Sequence, residues 1–418
     1  MRQRTWISFV QGHPLRNITR GCIATLMLTQ AHAHPTDEAP ARCVTPGEWQ
    51  ALAPGAAQVV ANGDLLQRLA KQRVVMLGED HDNREHHRWQ LHTLIQLYTL
   101  QPKMALGFEA FPRRVQPVLD RWVAGELTEA AFLKAIDWKA IWTYDAELYL
   151  PMFHFARQYR IPLIALNIER SLISKTSEKG WANVPVTERE GLTEPAAADE
   201  KYVAMLREVF NQHRHAHGHG HEKSARAQDE DALQRFVQSQ QVWDRAMAEA
   251  LATASHRADV RIVVGVMGAG HLMHGYGVPH QLKHLGITDT MSLLPWDGAI
   301  ACAELQQQVA DAVFGLQRPD DDGAHAAIKP KLGVYLERTA QGVRVAKLTP
   351  KSVAIAAGLK SGDIVEQVAG QSVKQVEDVV SIVQATAPGT WLPLRIRRDK
   401  KAIDIIAKFP AHTQDPTP

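Results

Sequence analysis

Four short apolar runs, Val74–Leu77, Met104–Phe108, Pro162–Leu166 and Arg261–Val266, alternate with stretches of helical spacing, and this alternation limits the fold class most. Between the first two runs, Leu91, Leu94, Ile95 and Tyr98 repeat at the helical period, which gives a strand–helix–strand unit. Asp82, followed three residues later by Glu85, reads as a capping box for that helix. A second helix is expected over Asp231–Thr253, packed through Phe236, Val237, Trp243 and Met247. Strands separated by helices pair in parallel and are covered on both faces. The spacing therefore predicts an α/β fold, a mostly parallel central sheet flanked by helices. After Arg318–Gly323, the pattern changes to alternating strands with a single helix over Val376–Val383, which predicts a small β-rich domain.

The 418 residues allow two or three domains. Lys+Arg 47 against Asp+Glu 45 gives +2, so a nucleic-acid partner held by bulk charge is not expected. Arg2, Arg4, Arg16 and Arg20 precede a short apolar run, Cys22–Leu28, and Ala31-His32-Ala33 fits a small-x-small cleavage site. Residues 1–33 thus read as an export signal whose apolar run, Cys22–Leu28, is too short to span a bilayer as a helix, and no later segment is long enough either. Cleavage there leaves 418 − 33 = 385 residues in an oxidising compartment, with Cys43 and Cys302 as the remaining cysteines. A disulfide and two separate thiols both stay open. The expected location is periplasmic or secreted, with peripheral association with the envelope membrane left open.

The expected layout is a mobile lead-in over 34–58, a large domain over 59–317, a polar linker over 318–330, a second domain over 331–409 and a tail over 410–418. The 20 histidines are clustered. His213, His215, His217, His219 and His221 alternate with small or basic residues, a low-complexity loop able to scavenge metal without selectivity.

The residues just after each apolar run point to chemistry. Gly78-Glu79-Asp80-His81 succeeds the first run, Glu109 the second, Asn167 the third, and Met267-Gly268-Ala269-Gly270-His271 the last. In a parallel sheet these carboxyl ends share one edge, where open α/β folds place their ligands. Two Gly-x-x-His turns bracket the set, and their glycines are expected to permit a tight turn and close backbone approach, leaving the imidazoles aimed over the sheet edge. His81, His271 and either Glu79 or Glu109 make a two-histidine, one-carboxylate set suited to Zn, Fe or Mn. A remaining carboxylate then serves as general base, and Asn167 orients substrate or a metal ligand. Taken singly, each is as readily a cap or turn residue.

The blocks GEDH, ALGFEAFPRRVQPVLDRW, LYLPMFHFARQYRIPLIALNIERS, QQVWDRAMAEA and VVGVMGAGHLMHGYGVPHQL, in that order, resemble the ChaN-like haem-binding uptake domain of the Tiki superfamily. The resemblance covers about Val59 to Leu294, with Glu169 standing where it would place proline. It implies roles for Glu79, His81, Glu109, Asn167, Asp244 and His271. The superfamily also implies a metal-dependent hydrolase geometry, and the ChaN branch implies haem binding at the envelope. Such proteins are often lipoproteins, whereas here Cys22 opens the apolar run instead of following it. Haem needs an axial His, Tyr, Met or Cys, and Tyr144, Tyr276, His274 and His154 stand near the matched blocks. Trp142 and Tyr144 could flank a flat porphyrin or belong to the core.

The second domain resembles a bacterial PDZ module over about Lys331 to Phe409. Leu332-Gly333-Val334-Tyr335 matches the carboxylate-binding loop and Ala356–Val365 the turn and strand, with Ala369 where asparagine is expected before Gly370. The resemblance implies that the C-terminal peptide of an envelope protein adds a strand there. Val334 and Leu336 are expected to bracket its last side chain.

Overall fold

The computed structural model describes residues 43–216, 226–317, 330–387 and 389–410. The expected export signal, the linker around Asp321, the tail and the greater part of the histidine tract lie outside the described residues. Those described fall into two compact units, one on either side of residues 318–329.

In the first unit, β1 (Trp49–Ala53), β2 (Ala56–Val60), β3 (Val74–Glu79), β4 (Met104–Pro112), β5 (Leu163–Asn167), β6 (Ile262–Gly268), β7 (Thr290–Trp296) and β8 (Ala312–Gly315) form one sheet. Its order is β2-β1-β8-β7-β3-β6-β4-β5. Strands β3 to β8 pair in parallel, and β1 joins β8 antiparallel. Every residue of β3, β4 and β6 is buried, as expected where helices cover both faces. The two layers of core divide along each strand. Val75 and Leu77 pack with Phe108, Phe153 and Leu94 on one face, while Val74 and Met76 pack with Met247, Leu251 and Leu294 on the other.

Three sequence expectations change. The helix Arg84–Leu100 is capped by Asn83, whose side chain accepts from Glu85 N at 3.0 Å, so Asp82 is not its cap. An asparagine side chain at this position satisfies one of the first-turn N–H groups directly. Residues 43–58 are not a mobile lead-in. Val44 is buried, and β1 and β2 form a hairpin around Gly55 that extends the sheet edge. The second helix is longer than expected, Arg226–Ser255, and its inner stripe runs through Leu233, Val237, Asp244 and Leu251. The helix also buries Ser239, Gln240 and Arg245, and Asp244 among them is fully buried and bonded to His271 at the sheet edge.

Cys43 and Cys302 are bonded, with Cα atoms 5.7 Å apart and a sequence separation of 259. The bond ties the start of the described chain to the turn after β7. Constraining so long a loop in the unfolded chain stabilises the fold by about 2–5 kcal/mol.

The second unit is an antiparallel sheet of β9 (Val334–Thr339), β10 (Gly342–Leu348), β11 (Ile364–Val368), β12 (Gln371–Ser372), β13 (Trp391–Arg398) and β14 (Lys401–Lys408). The main path runs β14-β13-β11-β10-β9, which leaves β9 at an edge, and the helix Val376–Ala385 lies against it. Val343, Val345, Val365, Val379, Leu394 and Ile396 form its separate core.

Candidate functional site

The carboxyl ends of the central strands converge. Register sets Glu79 of β3 beside Gly268 of β6, and Phe108 of β4 beside Val266 of β6. Glu109 follows Phe108, and its Oε2 accepts from Gly268 N at 2.7 Å. His81 and His271 therefore reach the same carboxylate. His81 Nε2 lies 4.0 Å from Glu109 Oε2, and His271 Nε2 lies 3.6 Å from Glu109 Oε1.

Behind each imidazole stands a second carboxylate. His81 Nδ1 is 2.8 Å from Glu79 Oε1, and His271 Nδ1 is 2.6 Å from Asp244 Oδ1. The result is a chain Glu79–His81–Glu109–His271–Asp244, four of whose five members are buried. Tyr149 donates to Glu79 Oε1 at 2.6 Å, and Tyr202 donates to Asp244 Oδ2 at 2.6 Å, closing both ends. Burial and the neighbouring carboxylates push both phenols well above the ordinary tyrosine value, so they stay as donors. His87 joins from the next helix, its Nδ1 3.3 Å from Glu79 Oε2 and its Nε2 donating to the His81 carbonyl at 3.1 Å.

Burial alone would neutralise these groups, and pairing overrides it. Burial raises the Glu79 carboxyl, yet His87, His81 and Tyr149 together hold it down at about 2. Burial likewise raises Glu109, which His81 and His271 nevertheless hold below the usual carboxylate range. Burial opposes the charged form of both histidines, but Glu109 and Glu79 raise His81, and Glu109 and Asp244 bring His271 to about 10. The site is a buried, alternating row of charges, with each charge held by its opposite.

Of the two roles expected of the glycines, the structure shows the close backbone approach. Neither Gly78 nor Gly268 has a positive φ. A Cβ on Gly78 would meet Leu294 Cδ2 at 2.3 Å, and one on Gly268 would meet the His81 ring at 3.1 Å. They are needed for close approach rather than for turn conformation.

A cavity of ≈ 400 Å³ opens above this row, and His81, Glu109, Asn167 and His271 line it. Glu79 and Asp244 sit behind it and act through the imidazoles. Asn167 donates to the Glu109 carbonyl at 2.9 Å and accepts from Ile168 N at 2.9 Å, so its amide joins the ends of β4 and β5. Trp142 meets the His81 ring edge-on at 4.8 Å, and Tyr144 lies 5.0 Å from it. Of the four axial candidates Tyr144, Tyr276, His274 and His154, only Tyr144 lines the cavity. His274 and Tyr276 do not: they stack on each other at 5.3 Å, with Tyr276 packed against the Tyr202 cluster. The loop after Gly268 turns them away from the opening. His154 is exposed and pairs with Glu129 at 2.7 Å. As for the metal set His81, His271 and Glu109, no group of three or more ligand side chains placed to hold an ion occurs among the described residues. The imidazoles meet Glu109 in separate pairs instead.

Tyr149, Tyr202, His87 and Trp243 were not picked out for the site from the sequence. Tyr149 lies 70 positions from its partner Glu79, and Tyr202 lies 42 from Asp244. No local pattern marks either.

The family model described as haem-binding uptake, Tiki superfamily, ChaN matches residues 65–282. This chain belongs to the ChaN family. A PDZ domain model matches residues 330–408. The structure showing cofacial haem binding to ChaN of Campylobacter jejuni is 18% identical, covering 65% of this chain and 98% of that one, with a TM-score of 0.49. A probable periplasmic serine protease do/HhoA-like of Haemophilus influenzae is 35% identical over 71 residues, 17% of this chain and 15% of that protein's length. The HtrA3 PDZ domain bound to a phage-derived ligand is 20% identical, covering 19% of this chain and 84% of that one, at a TM-score of 0.18.

In the PDZ domain, Leu332 is buried, and Val334 and Leu336 pack partly against the core, while Tyr335 is 62% exposed. Gly333 has φ +78, and a Cβ there would meet Ser352 Cβ at 2.3 Å. Any side chain is thus strained twice, by the backbone and by contact. We expect full-length protein to bind free-acid peptides at about micromolar affinity, and amidated peptides at least about tenfold more weakly. Gly333→Ala is expected to weaken the free-acid form by about tenfold. Isothermal titration checks this, and equal binding of acid and amide would mean that the carboxylate is not read.

Proposed function

We propose that this chain is an exported envelope protein that holds haem in the sheet-edge cavity of its ChaN-like domain, while its PDZ domain recruits an envelope protein by its C-terminus. The observation that carries the haem reading is the cavity. Its volume suits a small-molecule ligand, and its walls include Ile141, Trp142, Tyr144, Ile168 and Ile173. The donors fit the group. Tyr144 is of axial-ligand type and faces this space beside His81. Haem would bring an iron centre open to axial ligation and a flat apolar ring. The chain supplies the aromatic surface of Trp142 and Tyr144 and the fixed imidazole of His81, held by Glu79.

An oxidising compartment is supported by the Cys43–Cys302 bond. No helix among the described residues is long and apolar enough to cross a membrane. The PDZ role is supported by the exposed edge of β9 beside the helix Val376–Ala385, the arrangement that accepts an added strand.

Metal-dependent hydrolysis at the same cluster is the second reading. It is favoured by the carboxylates Glu79 and Asp244 behind the two imidazoles, which is how ligating histidines are commonly oriented. One experiment separates the two: haem titration followed by Soret absorbance, with metal analysis of the purified protein. The haem reading expects a saturable Soret shift that survives deletion of His213 to His221. Loss of the shift on deletion would move binding to the tract, and a stoichiometric Zn, Fe or Mn with no Soret shift would favour the hydrolase.

A further inference from the structure

We infer that Arg114 and Arg170 form a carboxylate clamp at the open end of the cavity, selecting a flat ligand that carries acidic side arms; the inference rests on the haem reading above. Both arginines line the cavity and both are exposed, whereas Glu109 and His271 at its inner end are buried. The lining also includes the apolar and aromatic Ile141, Trp142 and Ile168. A ligand filling this space meets hydrophobic surface along its body and guanidinium groups where it reaches solvent.

Each guanidinium is positioned by another residue of the same lining. Arg114 Nε pairs with Glu169 Oε1 at 2.7 Å, and Arg170 Nη2 donates to the Ile141 carbonyl at 3.0 Å. A guanidinium carries five N–H donors in a fixed fork, so these contacts leave donors for a carboxylate in the bidentate geometry that arginine favours. Arg114 is half exposed, and its contact with Glu169 through Nε leaves its terminal N–H groups for an incoming acid. Ser171 and Ser174 also line the cavity and add hydroxyl donors. Haem presents two propionates, and a neutral macrocycle presents none.

The test titrates full-length wild type, Arg114→Ala, Arg170→Ala and the double variant with haem and with haem dimethyl ester, following the Soret band. Wild type is expected to prefer haem to the ester by at least about tenfold. The double variant should lose about ten- to a hundredfold for haem and less than about twofold for the ester. Equal losses for both ligands, or a wild type that does not distinguish them, overturn the clamp and leave haem binding standing. No saturable binding of either ligand to wild type overturns the haem reading itself, and the clamp with it.

Discussion

Replacing His271 by alanine is expected to destabilise the ChaN-like domain by about 3–5 kcal/mol, the cost of stranding buried charge. Asp244 is fully buried and holds two hydrogen bonds, one from Tyr202 and one from His271. Without the imidazole, one of its oxygens loses a partner at 2.6 Å, and Glu109 loses the group 3.6 Å from its Oε1. The size of the loss comes from that desolvated charge rather than from the contact itself. Neutralising the acid as well should recover part of the loss, so His271→Ala/Asp244→Asn should cost less than the sum of its single variants. Urea unfolding of the full chain, followed by tryptophan fluorescence, measures this. A loss below about 1 kcal/mol would mean that the row of charges is not what holds the sheet edge.

The second large effect is a stability that falls on both sides of a plateau between about pH 4.5 and 6.5 in the ligand-free protein. Glu79 is held down at about 2 in the fold against an ordinary 4.5. Its contribution is complete above 4.5 and is lost as the pH falls through 2, when the buried carboxylate takes a proton. The interval corresponds to about 3 kcal/mol. His271 runs the other way, raised to about 10 from an ordinary 6.5. Its contribution is complete below 6.5 and is lost as the pH rises through 10. Glu79→Gln should flatten the acid limb most and, because Glu79 also raises His81, weaken the alkaline limb to a smaller degree, whereas His271→Gln should flatten mainly the alkaline limb and, through Glu109, touch the acid limb less. Unfolding midpoints across pH 2 to 10 check both, and an unchanged acid limb in the Glu79 variant would remove the carboxylate from the account.

The strands were readable because buried parallel strands need uninterrupted apolar runs, and the polar residues that ended each run could be placed at one sheet edge by topology alone. Sheet topology alone sets Glu79, His81, Glu109, Asn167 and His271 together, and the resemblance adds Asp244. It did not distinguish which side chains enter the cavity from those that brace it. Glu79 and Asp244 are separated from the opening by the histidines they hold, and a sequence records no depth. His274 and Tyr276 stood close to His271 in the chain, yet the short helical turns after Gly268 carry them away. The hairpin of β1 and β2 was concealed by an alanine-rich composition, although Pro54-Gly55 between two apolar stretches is a turn signal that could have exposed it. Tyr149 and Tyr202 became legible only once the fold had brought distant segments together.

The central claim is that iron-bearing haem sits above the row Glu79–His81–Glu109–His271–Asp244. An anomalous difference map at the iron edge, from crystals grown with haem, tests it most directly. The account predicts one iron peak per chain inside the cavity lined by His81, Trp142 and Tyr144. A peak only outside that cavity, at the histidine tract or on the PDZ domain, would contradict it.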